Sequence, residues 1–141
     1  MLENTLQEAG QYITLAGVLG GFAFAAVIEL LVSEKKGKLA VSVISLFSLS
    51  ALIFLYSLVV YVFIYSALLE TGEVTAALGS FGAGTMWFIF TAIFLLFVAI
   101  GLGGWLHSKA TGIITSVAAF IFACLMLFAV TRIILLVPPM N

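Results

Sequence analysis

Residues 85–106 read TMWFIFTAIFLLFVAIGLGGWL and contain no charged side chain. An α-helix needs roughly 20 mostly apolar residues to cross the hydrocarbon core of a bilayer. Three further runs meet this requirement, at about residues 12–33, 39–69 and 111–137. A membrane β-barrel would instead show short segments of alternating hydrophobicity. The sequence therefore predicts an all-α, polytopic membrane protein whose four transmembrane helices form a compact bundle.

The composition supports this prediction. Of the 141 residues, 65% are hydrophobic and 8% are charged, whereas soluble domains have about 45–50% apolar and about 25% charged residues. A chain of this length has too little interior to bury the excess, so lipid must solvate it. We therefore predict one transmembrane domain, residues 1–141, in the plasma membrane or the bacterial inner membrane. A nucleic-acid partner is not predicted, because no basic stripe exists.

Interfacial residues indicate where the spans meet water. Trp87 and Trp105 bracket the third span and stand about 27 Å apart along an ideal helix, and Trp favours the membrane interface. Arg132 near the end of the fourth span is predicted to anchor there through a lipid phosphate or through a carboxylate at position 8, 70 or 73. The lysines at positions 35, 36, 38 and 109 lie between spans on one side, which favours both chain termini outside.

Glu29 is the most informative polar residue, because it lies in the first span about six residues before Lys35. Ionised carboxylates at this depth are costly and usually face a cavity, a partner or a conduction path. Gly17, Gly21 and Ala25 precede Glu29 at intervals of four, so these residues share one helix face. Small residues let another helix approach closely, which predicts that Gly17 and Gly21 pack against protein.

Two interpretations of Glu29 stay open. In a symmetric oligomer with this face inward, one Glu29 from each subunit would form a carboxylate ring that coordinates a cation. The residues predicted to line such a pore are Val18, Phe22, Ala25 and Glu29. Alternatively, the Glu29 side chain reaches the interface and pairs with a lysine at position 35, 36 or 109.

Hydroxyl groups follow one face of the second span, at Ser50, Ser57, Tyr61 and Tyr65. They predict either hydrogen bonds between helices or a water-lined path. A Ser-His-Asp set, a cysteine cluster and a paired histidine for haem are all missing from the sequence. We therefore predict that the protein is not an enzyme and holds no cofactor.

Residues 19–30, LGGFAFAAVIEL, resemble the first span of the Orai calcium channels. That family has a small-Gly-Phe-Ala stretch that ends in a Glu at the same spacing. The resemblance implies a four-span subunit of a hexamer, in which the first helix lines the pore and Glu29 forms the selectivity ring. Val18 and Phe22 would match the hydrophobic gate, and Gly21 the hinge beside it.

This chain also departs from the family. Orai channels have basic residues at the cytoplasmic base of the first span, where this chain has Glu8, Gly10 and Thr14. The family's termini are cytoplasmic, whereas the lysine distribution here favours the reverse.

Together these patterns predict an oligomeric membrane pore, or a cation-channel subunit, with an acidic ring from the first span. A structural or accessory subunit of a larger membrane complex is the second hypothesis, because short loops and abundant small residues suit contacts between helices. A small transporter is the third, with the hydroxyls of the second span as its site. The predicted partners are the lipid bilayer, further copies of the chain or other membrane subunits, and a cation.

Overall fold

The structure is a computed structural model that describes residues 2–33, 37–73 and 75–136. Its elements in chain order are α1 (Leu2–Val32), α2 (Lys38–Thr71), α3 (Ala76–Gly103), a 3₁₀ turn (Gly104–Leu106) and α4 (Lys109–Leu136). All four α-helices are long and apolar enough to cross a membrane. The predicted all-α fold with four transmembrane helices is thereby confirmed.

The helices pack in the order of the chain: α1 lies against α2, α2 against α3, and α3 against α4. Because α2 has a neighbour on both sides, 33% of its most apolar segment is buried, against 6% for α4. The fully buried side chains of α2 include Val43, Ser50, Phe54 and Ser57. Helix α2 is therefore the centre of the bundle, and most of the surface of α4 is left for lipid or another chain.

Helices α1 and α3 begin earlier than the predicted spans. Helix α1 starts at Leu2, ten residues before the span predicted at 12–33, and α3 starts at Ala76, before the span predicted at 85–106. The requirement of about 20 apolar residues concerns the hydrocarbon core alone. The first turns of α1 contain Leu, Gln and Glu, which are good helix formers, so the helix continues beyond that core.

The glycine-rich stretch 79–84 lies in the first part of α3. The Gly82 carbonyl accepts a hydrogen bond from the Tyr61 hydroxyl of α2 at 2.9 Å. A Cβ added at Gly82 would stand 3.8 Å from Ile64 of α2, an ordinary contact distance, and one added at Gly79 or Gly84 would meet nothing within 4 Å. The hydrogen bond from Tyr61 therefore holds this part of α3 on α2, while the glycines leave open space beside it.

The contact between α1 and α2 is centred on three alanines of α1 at intervals of seven, Ala9, Ala16 and Ala23, all of them buried. Side chains seven residues apart stay on nearly the same side of a helix, as in a coiled coil. Small residues at these positions let the two backbones approach. Among the glycines of α1, Gly20 has the least space beside it: an added Cβ would stand 3.0 Å from the Cβ of Phe54.

Gly20→Val should destabilise the bundle by about 1–3 kcal/mol, because the side chain of Phe54 is fully buried and cannot move aside. Gly10→Val is the matched control, since a Cβ added at Gly10 meets nothing within 4 Å. Unfolding of the purified proteins by a denaturing detergent, followed by circular dichroism, measures the difference. Equal losses in the two variants would show that the valine acts through helix propensity alone.

A compact turn joins α3 to α4. The Trp105 Nε1–H group donates to the Ser116 hydroxyl at 3.0 Å, and the indole covers Gly112, where an added Cβ would come within 2.5 Å of the ring. The Ser108 hydroxyl accepts a hydrogen bond from the Thr111 N–H at 3.1 Å and so caps the start of α4. The hairpin of α3 and α4 is therefore closed by contacts between residues that are near in sequence.

Candidate functional site

The four predicted pore-lining residues lie together on one exposed surface of α1. Val18 is 53% exposed and Phe22 is 69% exposed, and Ala25 and Glu29 are exposed as well. At 3.6 residues per turn, the four side chains fall within an arc of about 60°. The centre of this arc lies on the opposite side of α1 from the alanines that contact α2. We call this surface the outward face. It consists of residues 18, 22, 25 and 29 and of the residues that continue it toward the start of the chain.

Three polar residues continue the outward face toward the start of the chain, and the residue pattern alone did not assign them to this face. Gln7, Gln11 and Thr14 are exposed, and with Val18 they line a shallow depression. Their spacing of four, three and four is the spacing that keeps side chains on one helix face. The outward face therefore has a polar section, an apolar section and a terminal carboxylate at Glu29.

Gly17 and Gly21 differ in their surroundings. A Cβ added at Gly17 would stand 3.3 Å from Leu58 of α2, whereas one at Gly21 would meet nothing within 4 Å. Residues spaced by four drift about 40° around a helix at each step. The predicted face of Gly17, Gly21, Ala25 and Glu29 therefore leaves the contact with α2 after its first member. Packing of Gly21 stays a prediction, and its partner would be another chain.

Glu29 is exposed near the end of α1, and its carboxylate pairs with no basic group in the part of the chain that the structure describes. Lys109 is among the described residues, so the predicted pairing with Glu29 is not formed there. Lys35 and Lys36 lie outside the described residues, and pairing with either of them stays a prediction. The Glu29 side chain therefore lies on the surface of the chain and not in a buried pocket.

A cation at Glu29 would need several chains. One carboxylate supplies two oxygens, whereas a calcium ion takes 6–8 oxygen ligands. Within the described ranges of one chain, no three His, Cys, Asp or Glu side chains come together as a metal site. Identical carboxylates around a symmetry axis would supply the missing oxygens, since each added subunit contributes a further pair.

The hydroxyls of α2 are used for packing. The Ser50 hydroxyl is fully buried and donates to the carbonyl of Ala92 in α3 at 2.8 Å, and Tyr61 donates to Gly82 at 2.9 Å. Ser57 donates to a carbonyl one turn earlier in its own helix at 2.9 Å. These bonds fit the interpretation of hydrogen bonding between and within helices rather than that of a water-lined path.

The predicted interface anchors are all exposed. Trp87 is 66% exposed, whereas the N–H of the half-exposed Trp105 is already bonded to Ser116. The guanidinium of Arg132 lies 5.4 Å from the centre of the Phe128 ring, one turn earlier in α4. This contact holds the charge beside an aromatic surface near the end of the helix. Anchoring of the three side chains at the membrane interface stays a prediction.

A cavity of about 250 Å³ lies between α1, α2 and α3, at the end of the bundle away from Glu29. Glu8, Tyr12 and Tyr61 line it, and the two tyrosine rings stack with their centroids 4.9 Å apart. In the sequence, the only sign of this cavity is that Glu8 and Tyr12 are four residues apart and so share a face of α1. Tyr61 joins them only through the packing of α1 on α2.

Comparison with known proteins supplies no family for this chain. No family model, no curated protein and no solved structure matches it. The outward face of α1 and the cavity at the other end must therefore be interpreted from their own chemistry.

Proposed function

We propose that this protein is an oligomeric membrane pore that conducts cations, with the outward face of α1 directed to a central axis. The observation that carries the proposal is the position of Glu29, which lies within the span predicted at 12–33 and is exposed on the side of α1 that points away from α2. A carboxylate that faces lipid is costly. A water-filled axis shared by several subunits would solvate it, and Gln7 and Gln11 on the same face, beyond the hydrocarbon core, would line the entrance to that axis.

The order of residues along the outward face suits conduction. Glu29 forms a ring at one end, and such acidic rings select cations. Phe22 lies about 10 Å further along the helix and Val18 about 6 Å beyond it. Rings of apolar side chains of this kind close a pore by excluding water. Gln11 and Gln7 then line a wider polar entrance at the other end.

The resemblance to Orai channels adds a stoichiometry to the proposal, namely six subunits around one axis. An image of the purified particle viewed along the membrane normal tests this number directly. We also place the pore in the plasma membrane or bacterial inner membrane, with the lysine-bearing loops in the cytoplasm. This orientation is the reverse of that of Orai channels, so the proposal takes only the number of subunits from the resemblance. Glu29 would then lie near the cytoplasmic surface, because α1 ends at Val32 just before those lysines.

Cross-linking of the purified protein in lipid tests whether the outward faces meet. Val18→Cys is made in a Cys124→Ser background, because Cys124 is the single native cysteine. A disulfide requires the two Cβ atoms to come within about 4.5 Å, so an oxidant should produce dimers only if Val18 lines a narrow axis. Phe120→Cys on α4 is the matched control, since Phe120 is 70% exposed but lies on a different helix.

The outcomes of this experiment separate the hypotheses. Dimers of Val18→Cys without dimers of Phe120→Cys support the pore. A Val18→Cys protein that stays monomeric under oxidation and elutes as a monomer would overturn it. Cross-links to a different, obligatory protein chain would favour the accessory-subunit hypothesis. The transporter hypothesis has less support, because Ser50, Ser57 and Tyr61 already donate to carbonyl groups.

A further inference from the structure

We infer that the cavity between α1, α2 and α3 is a binding site for the ammonium group of a small amphiphilic amine. The inference does not depend on the proposed pore, since the cavity lies on another side of α1 and at the other end of the bundle. We call it the tyrosine cavity. Six of the residues that line it matter for ligand binding: Glu8, Tyr12, Tyr61, Ile64, Leu68 and Met86.

The tyrosine cavity has room for a molecule that is larger than one aromatic ring. Its volume is about 250 Å³, whereas an engineered apolar cavity of about 150 Å³ in another protein binds benzene. The space exists because the α3 wall is built from Gly79, Gly82 and Ala83. Ile64 and Leu68 supply apolar surface on the α2 side. The body of the ligand is therefore apolar.

The charge of the tyrosine cavity selects a cation. Glu8 lines it and is exposed, and within residues 2–33, 37–73 and 75–136 its carboxylate has no ion-pair partner. Lys38 and Lys109 begin α2 and α4 at the opposite end of the bundle, and Arg132, toward the other end of α4, lies 5.4 Å from the centre of the Phe128 ring. An anionic ligand would be repelled by Glu8, while a neutral donor would gain a hydrogen bond without the attraction between opposite charges. An ammonium group would form a charge-assisted hydrogen bond with the carboxylate.

The tyrosines complete the site for an ammonium group. An ammonium has three donors and no acceptor, so it needs acceptor oxygens around it. The Tyr61 hydroxyl donates its proton to Gly82 at 2.9 Å, which leaves the lone pairs of its oxygen free to accept. The Tyr12 hydroxyl makes only a long contact of 3.7 Å to the Met86 sulfur. The two rings close their facing sides by stacking, so an outer face of the stacked pair would attract the cation.

Two sources can supply this chemistry. A free arylalkylamine and the headgroup of phosphatidylethanolamine both present a primary ammonium group, which stands beside an apolar ring in the amine and is separated from the acyl chains by a phosphate and a glycerol in the lipid. The experiment therefore has one arm in a neutral detergent and one arm in lipid vesicles.

Binding of phenethylamine to the full chain in neutral detergent, measured by isothermal titration calorimetry, tests the inference. We expect Glu8→Gln and Tyr12→Leu each to weaken binding about tenfold or more, because each removes a charged or aromatic partner. Glu3→Gln is the matched control: it removes an exposed carboxylate from the same end of α1, outside the cavity. Binding of Glu3→Gln should equal that of the unchanged protein.

The neutral isostere 2-phenylethanol separates recognition of the charge from apolar partition. If the unchanged protein binds the alcohol as tightly as the amine, or if Glu8→Gln keeps its full affinity for the amine, the inference is overturned. Should Glu8→Gln fail to fold, the comparison of amine and alcohol on the unchanged protein decides by itself. In vesicles of phosphatidylglycerol, addition of phosphatidylethanolamine should displace phenethylamine if the lipid headgroup is the occupant. Unchanged amine binding in those vesicles assigns the site to free amines.

Discussion

Glu29→Ala should reduce cation flux through proteoliposomes about tenfold or more and abolish the preference for cations over anions. The physical reason is that the proposed ring of carboxylates would supply both the negative potential and the oxygens that replace water around the ion. At the surface of a protein, two unit charges 4 Å apart still interact by about 4 kcal/mol. Loss of one charge from every subunit therefore removes a large electrostatic contribution.

Reversal potentials in asymmetric salt measure the preference, and flux of a divalent cation and of chloride measures the rates. Glu70→Gln is the matched control, since Glu70 is exposed at the other end of the bundle and lies on α2. Its flux and reversal potential should equal those of the unchanged protein. Unchanged flux and selectivity in Glu29→Ala would remove Glu29 from any conduction path.

Phe22→Ser should raise the flux of the resting pore about tenfold or more. A ring of phenyl groups excludes water from a narrow axis, and replacement by hydroxyl groups lets water and ions occupy it. The matched control is Phe24→Ser. Phe24 is 61% exposed, close to the 69% of Phe22, but it lines the groove between α1 and α2 and not the outward face.

Proteoliposome flux without any activating stimulus measures this effect. A raised flux in Phe22→Ser, but not in Phe24→Ser, assigns the constriction to the outward face. Equal effects in the two variants would mean that loss of a phenyl group loosens α1 generally. The double variant Glu29→Ala, Phe22→Ser should conduct without preferring cations, because it is open and lacks the acidic ring.

The fold could be predicted from the sequence because its main determinant is local in the chain. A bilayer requires about 20 apolar residues per span. Runs of this length can be recognised in the sequence without knowing how the helices pack. The ends of α1 and α3 were less predictable. Residues 2–11 and 76–84 lie in helices although neither segment is needed to cross the hydrocarbon core. Their conformation follows from helix propensity and from contact with α2.

The packed face of α1 could be predicted only in part. Residues at intervals of four indicated that Gly17 and Gly21 pack against protein; a Cβ added at Gly17 would stand 3.3 Å from Leu58 of α2, whereas packing of Gly21 stays a prediction. The contact with α2 is centred on Ala9, Ala16 and Ala23, whose interval of seven keeps them on nearly the same side of the helix. This interval was present in the sequence and distinguishes the inward from the outward side of α1.

The tyrosine cavity could not be predicted from the sequence, because it depends on the register of three helices. Tyr61 is 49 positions after Tyr12, and only the antiparallel packing of α1 on α2 brings their rings together. The bond from Tyr61 to Gly82 further fixes α2 against α3. A pattern along a single helix carries no information about such a register.

The hairpin of α3 and α4 has a consequence for how the chain is made. The Ser116 hydroxyl accepts from Trp105 at 3.0 Å and donates to the carbonyl of Gly101 at 3.1 Å, so three residues within one short segment hold the two helices together. Contacts between residues near in sequence form fastest. We therefore expect α3 and α4 to pair while they leave the ribosome and to enter the bilayer as a unit. Helix α3 would then already be packed against α4 when it docks on α2.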